Sequence, residues 1–308
     1  MKKVFIDGQA GTTGLQLKNK LLNHPEVTLL EIESDKRKDI QERKKLMNES
    51  DVVFLCLPDE AAKEAVKLID NPDTVVIDAS TAHRTNDEWT YGFPELSAEH
   101  FNKIKNSKRI ANPGCHATGF ISIIYPLVSG GIMPKNYPVT AHSITGYSGG
   151  GNKMIGEYEN ENREYFYKSP RQYGLSQNHK HLPEMVKVTG LEVNPVFNPI
   201  VADYYCGMAV SVPIFTDLLK VKMSVYDLKR YFIEFYKNSK FITVHSGPES
   251  GFLPATGLEG TNNLRIYICG NDERVTITAV FDNLGKGASS AAIENMNIAM
   301  GFDEAAGL

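Results

Sequence analysis

The stretch "KVFIDGQAGTTG", residues 3–14, limits the fold more tightly than any other in the chain. An apolar strand-like run, "KVFID" (3–7), ends in a turn with glycines at Gly8, Gly11 and Gly14, and a helix-like pattern opens at Thr12 and runs to about Asn23. Strand, glycine-rich turn and helix in that order form the entry to a doubly wound sheet. There the bare backbone turns tightly and a pyrophosphate rests on the helix's free amides. The spacing is G-x-x-G-x-x-G, a variant of the dinucleotide fingerprint. It places Gly8, Gly11, Thr12, Thr13 and Gly14 as cofactor-binding residues, with a tight structural turn as the plainer alternative.

The following hundred residues repeat the alternation. "VTLLEIE" (27–33), "DVVFLCLP" (51–58), "TVVIDAS" (74–80) and "KRIANP" (108–113) read as strands, and "DEAAKEAVKLID" and "SAEHFNKIKNS" as helices between them. Near-continuous apolar strands separated by helices predict a parallel sheet covered on both faces. From about residue 138 the texture changes. "PVTAHSITGYS", "GMAVSVPIF", "NNLRIYICG" and "ERVTITAVFD" are longer strands of alternating character, and "SVYDLKRYFIEFYKN" (224–238) has helical spacing. The fold class is therefore α/β: a Rossmann-type doubly wound parallel sheet plus an α+β domain with a mainly antiparallel sheet. Residues 1–114 form the dinucleotide-binding domain and 115–284 the catalytic and oligomerisation domain. The Ala- and Met-rich ending, about 285–308, packs back on the first domain.

A net charge of −4 from 33 basic and 37 acidic residues gives no reason to expect nucleic acid or an anionic membrane as partner. No run of about 18 apolar residues exists to span a bilayer. Four cysteines, Cys56, Cys115, Cys206 and Cys269, lie far apart without CxxC spacing, as in a reduced, cytoplasmic protein. Three sit in or beside strand-like runs and read as small buried hydrophobes.

Cys115 is different. In "ANPGCHATG" (111–119) it follows a Pro-Gly turn at the head of a helix, where free amides and the macrodipole favour the thiolate. The same amides can hold an oxyanion, with Asn112 as a side-chain donor. A nucleophilic thiol needs a base. His24 and His100 fall on helix-end surfaces, His245 is uninformative, and His116 on a helix points away from Cys115. In "QNHKHLPEM" (177–185), an extended backbone puts His179 and His181 on one face, with Glu184 within reach to orient an imidazole. A metal site from these three lacks a fourth ligand and any HExxH or paired CxxC pattern, so no metal is expected. Arg84, just past the fourth strand in "DASTAHR", is placed to hold a substrate carboxylate or phosphate, a surface arginine being the alternative. "TGYSGGGNK" (145–153) reads as a flexible loop, with Ser148 and Gly149 against the cofactor. At the end of the second strand, "IESDKRKD" offers Glu33 or Asp35 to a free ribose hydroxyl, and Ser34 and Arg37 to a 2′-phosphate; the Lys36-Arg37-Lys38 cluster favours NADP.

A nucleophilic thiol beside a nicotinamide site suits reductive dephosphorylation of an acyl phosphate through an acyl-thioester, the Cys115 sulfur facing the nicotinamide. The motifs "GQAGTTG", "DASTAHR", "YGFPEL", "ANPGCHAT", "GYSGGG", "HKHLPE" and the "DNLGKGASSAAIENMN" ending span essentially the whole chain. In these the sequence resembles the N-acetyl-γ-glutamyl-phosphate reductases of arginine biosynthesis, particularly their shorter form. The resemblance implies NADPH-dependent reduction of N-acetyl-γ-glutamyl phosphate to N-acetyl-L-glutamate 5-semialdehyde and inorganic phosphate by a homodimer or homotetramer. It implies Cys115 as nucleophile, His181 oriented by Glu184 as acid and base with His179 its rival, and Gly11 and Gly14 on the pyrophosphate. Longer members commonly carry Tyr-Pro where this chain has His116-Ala117, and Arg where it has Asn152, leaving Lys153 as a substitute grip on substrate. Arg84 keeps its place although "DASTAHR" departs from the usual "DLSADFR". The alternatives are an aspartate-semialdehyde dehydrogenase-type reductase of aspartyl phosphate, a non-catalytic dinucleotide-sensing redox protein, and a thiol acyltransferase with a vestigial fingerprint.

Overall fold

All residues from 1 to 308 are described in the computed structural model. The chain divides into two units, Met1–Gly114 with Ala288–Leu308, and Cys115–Gly287.

The first unit runs β1 (Lys2–Asp7), α1 (Thr12–Leu21), β2 (Val27–Leu30), α2 (Ile40–Glu49), β3 (Val52–Leu55), α3 (Asp59–Val66), β4 (Val75–Asp78), β5 (Thr90–Tyr91), α4 (Ala98–Lys105) and β6 (Arg109–Ala111). Its six strands lie in the order β2-β1-β3-β4-β6-β5, every pairing parallel. The two-residue side-chain period divides each strand between two cores. Val4, Ile6, Val52, Phe54, Val75 and Ile77 face one core with Leu17, Leu21 and Ile104. Phe5, Val53, Leu55 and Val76 face the other with Met47, Ala62 and Ala65. Burial of both faces is why these strands read as unbroken apolar runs. Helix α2 is not foreshadowed in the sequence: "IQERKKLMNE" buries only Met47, and Asp39 starts it by accepting from the Gln41 and Glu42 amides.

The second unit runs α5 (Cys115–Ser129), β7 (Thr140–Gly146), α6 (Gly151–Glu159), β8 (Arg171–Gln172), α7 (Leu182–Thr189), β9 (Val196–Ala202), β10 (Met208–Phe215), α8 (Val225–Tyr236), β11 (Ile242–Ser246), β12 (Leu264–Gly270) and β13 (Arg274–Phe281). Seven strands lie in the order β11-β12-β13-β10-β7-β9-β8, parallel at β7/β9 and β11/β12 and antiparallel elsewhere. Helix α5 packs on β10, β13 and α7. It approaches the sheet so closely at Gly119 that a Cβ there would stand 2.5 Å from Val210 Cγ2. The helix that carries Cys115 is therefore fixed against the sheet by its own apolar body.

The final helix, α9 (Ser290–Met300), follows a π turn at Gly285–Ser289 and belongs to the first unit, packed on α4 and β4. Every residue from Ser290 to Ile298 is buried.

Three sequence expectations are corrected. His24 is buried rather than on a helix-end surface, its Nε2 3.0 Å from Asn297 Oδ1 of α9. Cys56, Cys206 and Cys269 are each half-buried rather than buried, and Cys206 lies in the bend before β10 rather than in a strand. The "TGYSGGGNK" segment is no flexible loop: it passes through a 3-10 turn at Tyr147–Gly150 straight into α6.

Candidate active site

The glycine turn shows which of its members the fold itself requires. Gly8 has φ +92°, and a Cβ there would stand 2.3 Å from the Cys56 carbonyl oxygen. At Gly14 a Cβ would stand 2.3 Å from the Gly8 oxygen. At Gly11 the nearest atom would be 3.5 Å away, an ordinary contact. Packing therefore demands glycine at 8 and 14 and leaves 11 to a ligand. Gly11 is the N-cap of α1 without a side-chain cap, and Thr12 and Thr13 open the helix, so the positive end of α1 lies at the turn. A cleft of about 310 Å³ runs beside the turn, walled by Gly8, Ala10, Ile32 and Leu57 and edged by Arg37, Lys38 and Arg43. Arg37 Nη2 donates to Ser34 Oγ at 3.0 Å. Lys36 neutralises Glu33 at 2.7 Å. Arg43 of α2 grips Asp7 at the end of β1 with two hydrogen bonds, 3.2 and 2.7 Å. A glycine turn, a helix start and a cationic rim fit a dinucleotide.

At the end of β4, Asp78 accepts from the Ser80 amide and hydroxyl at 2.9 and 2.7 Å and holds His83 Nδ1 at 2.6 Å. Trp89 stacks on His83 at 4.0 Å. This lock carries Arg84, which is buried, its Nε on the Asn112 carbonyl and Nη2 on that of Ala79, both 2.9 Å. Asn112 is buried too, donating to Ala288 O at 2.9 Å and accepting from Asn295 at 3.1 Å.

In the second unit, Cys115 is the first residue of α5 and half-buried. Gly287 stands against it, where an added Cβ would approach Cys115 Cβ to 2.9 Å. The other three thiols are held protonated. Burial pushes up Cys56 and Cys269, and burial with the nearby Asp282 carboxylate takes Cys206 to about 12.

Because α5 packs on α7, the segment entering α7 comes to the head of α5. His181 is buried at the N-cap of α7, and Glu184, also buried, sits in its first turn. His179 and His181 rings meet edge-on at 4.7 Å, and His116, next to Cys115, stands 5.3 and 5.6 Å from them. Phe197 of β9 closes the cluster at 5.3 Å from His116. His116 therefore points into the histidine cluster. Its two ring nitrogens are engaged by Ser143 Oγ at 2.7 Å and Tyr173 OH at 2.6 Å. No group of three or more His, Cys, Asp or Glu side chains is arranged to hold a metal ion. Ser148 is buried and accepts from Asn283 at 3.0 Å, Gly149 beside it is exposed, and Lys153 is exposed on α6.

Residues 3–104 match the family described as semialdehyde dehydrogenase, NAD binding domain, and 115–283 its dimerisation domain. The N-acetyl-gamma-glutamyl-phosphate reductase 2 of Nostoc sp. is 40% identical over 99% of both chains. The reductases of Trichormus variabilis (99% of both) and Pseudomonas putida (99% of this chain, 98% of that one) are each 41% identical. This chain belongs to the N-acetyl-γ-glutamyl-phosphate reductase family. Among solved structures it is similar to aspartate semialdehyde dehydrogenases. That from Francisella tularensis has a TM-score of 0.73 at 15% identity, covering 97% of this chain and all of that one (100%). That from Candida albicans, with NADP, has 0.67 at 18%, covering 97% and 98%. These share the fold. The glycine turn is accordingly that of a nicotinamide dinucleotide domain, and no helix is long and apolar enough to cross a membrane.

Three parts of this reductase-family site are not visible in the sequence. Tyr173 lies six residues before the HKH segment with no motif around it. The Asp7–Arg43 pair needed α2 to be seen. Gly287 sits in the "GKG" that reads as the start of a buried helix and as part of the family-like ending, with nothing in the sequence to set it against Cys115. His116 was visible, but set aside because a helical neighbour of Cys115 diverges from it; the divergence is what carries it into the cluster.

Proposed function

We propose that the protein reduces N-acetyl-γ-glutamyl phosphate to N-acetyl-L-glutamate 5-semialdehyde and inorganic phosphate with NADPH, in arginine biosynthesis, through an acyl-thioester on Cys115. The observation that carries this is a half-buried thiol at the first residue of α5, next to a residue packed on the His179–His181 pair, in a chain of this family.

The Cys115 thiolate attacks the acyl carbonyl, and the backbone amides at the head of α5, with Asn112, receive the oxyanion. Its collapse expels phosphate and leaves the thioester. Held at Gly11, Thr12 and Thr13, a dihydronicotinamide dinucleotide would supply the hydride that reduces the thioester to a thiohemiacetal oxyanion. His181, oriented by Glu184, protonates that oxyanion and then removes the hydroxyl proton as the aldehyde leaves and the thiolate is regenerated. His179 is the less suited partner, because its Nδ1 already accepts the His181 backbone N–H at 3.2 Å. Arg84 and Lys153 take the substrate's anionic groups, and Ser148 and Gly149 lie against the cofactor.

NADP over NAD is supported by charge at the cleft rim. Of the two acids suited to a free ribose diol, Glu33 and Asp35, Glu33 is ion-paired with Lys36, whereas Ser34, Arg37 and Lys38 present a hydroxyl and two cations. A second copy of the chain, as a homodimer or homotetramer, is supported by the dimerisation-domain match.

The test is an initial-rate assay with N-acetylglutamate semialdehyde, phosphate and each cofactor, against aspartate semialdehyde. Phosphate-dependent reduction of NADP with the acetylated substrate is expected. Faster turnover of aspartate semialdehyde, or none of either, overturns the reading.

A further inference from the structure

Gln177 lies two residues before His179, between β8 and α7, and is the one non-glycine residue of the chain with a positive φ, +55°. There a Cβ crowds the following carbonyl oxygen, so a side chain enters the region only where the surrounding structure holds it. Gln177 is exposed, so packing in the core does not hold it. Its N–H closes a turn on the Gly174 carbonyl at 3.0 Å, and Gly174 also has a positive φ, +61°.

The side chain accounts for the conformation. Strand β8 pairs with β9 only at Ile200 and Val201, and just beyond it the Tyr173 N–H reaches the Pro199 carbonyl at 3.0 Å. At Phe197 no strand covers that edge of β9. The Gln177 carboxamide takes the strand's place: its Nε2 donates to the Phe197 carbonyl at 2.9 Å, and its Oε1 accepts from the Phe197 N–H at 2.9 Å. A side-chain amide carries a donor and an acceptor side by side, so one residue satisfies both main-chain groups of a buried neighbour. The Phe197 ring stands 5.2 Å from that of His179, edge-on, and His179 Nδ1 accepts the His181 N–H. Contacts thus run without a break from Gln177 through Phe197 and His179 to His181.

We propose that Gln177 is a positioning residue for the reaction: its two-point clamp on Phe197 holds the HKH segment against β9 and so fixes where the His181 imidazole stands. The assignment rests on His181 as the acid and base. Two substitutions separate the clamp from the turn. Gln177→Gly suits the positive φ and carries no amide. Gln177→Asn also tolerates the left-handed region, but its amide is one methylene short of the Phe197 backbone. Each eases the backbone and removes the clamp, so a role confined to the turn predicts that both are harmless.

The test is a double-mutant cycle on kcat for oxidation of N-acetylglutamate semialdehyde with phosphate and NADP, with melting temperatures read alongside. Misplacing a reacting group by about 1 Å costs up to about 100-fold in rate. Gln177→Gly and Gln177→Asn are each expected to lower kcat by about 10–100-fold, with KM for NADP and the melting temperature little changed. Combined with His181→Asn, neither should lower kcat further, because the group that the clamp places is gone. Retained kcat in either single variant, or the same fold-loss with and without His181, overturns the proposal. A His181→Asn protein that keeps its full kcat contradicts the acid–base reading itself, and that variant alone distinguishes the two failures.

Discussion

The backbone N–H of His181 donates to Nδ1 of His179 across 3.2 Å. An imidazole nitrogen that accepts a hydrogen bond carries no proton, so neutral His179 keeps its proton on Nε2 and has no lone pair left to act as a base. The two histidines of the HKH segment are thus unequal. His181→Asn is expected to lower kcat by about 10²–10⁴-fold, the usual contribution of a general acid–base group. His179→Asn should cost far less, acting through the placement of His181. Steady-state rates of both variants decide; equal losses would mean the hydrogen bond does not assign the roles.

The glycine turn separates fold from ligand. Gly14→Ala forces a Cβ to within 2.3 Å of the Gly8 oxygen, and such overpacking costs about 1–3 kcal/mol. Gly11→Ala meets only a 3.5 Å contact and should leave the melting temperature unchanged while weakening cofactor binding. Thermal melts paired with NADPH titration calorimetry check both.

Arg37 stands at the rim of the dinucleotide cleft with its Nη2 on Ser34. A charge-assisted hydrogen bond to a 2′-phosphate is worth about 1.5–3 kcal/mol, so Arg37→Ala should raise KM for NADPH by roughly 10–100-fold. KM for NADH should hardly move. An equal rise for both cofactors would place Arg37 away from the 2′-phosphate.

His116 ties stability to pH. Its folded pKa, about 3, lies below the ordinary 6.5 because burial disfavours the imidazolium. Between those values the unfolded chain binds a proton that the folded one does not. Stability is therefore flat above about pH 6.5 and falls on acidification at about 1.4 kcal/mol per unit from this group. His116→Gln, able to bond both hydroxyls without titrating, should be protected by about 2 kcal/mol at pH 5 relative to its difference from the unaltered protein at pH 7. Urea unfolding at the two pH values measures it; identical pH dependence in both proteins would show that His116 is not buried neutral.

What could be read in advance follows from how local each signal is. The parallel sheet was legible because two-sided burial gives β1, β3 and β4 unbroken apolar runs at residues 4–6, 52–55 and 75–77, a pattern needing no knowledge of partners. Cys115 was legible from its turn and helix. Helix α2 escaped because it buries only Met47. Strand β9 escaped because Pro199 reads as a strand breaker, although β8 covers only Ile200 and Val201 of it and leaves it near an edge at the proline. His24 was misplaced because what buries it, Asn297 and the chain end at Gly307, lies more than 270 residues away. The ring cluster joins residues from 116, 173, 179–181 and 197, and only the packing of α5 on α7 and the sheet brings them together.

The central claim is an acyl group carried on Cys115, and intact-mass spectrometry tests it most directly. The protein is mixed with N-acetylglutamate semialdehyde and NADP in the absence of phosphate, so that oxidation proceeds and the thioester has no acceptor. The account predicts a burst of one NADPH per chain, a mass gain of one N-acetylglutamyl group mapping to Cys115, and its discharge on adding phosphate. No adduct, or the same adduct on a Cys115→Ala variant, would contradict it.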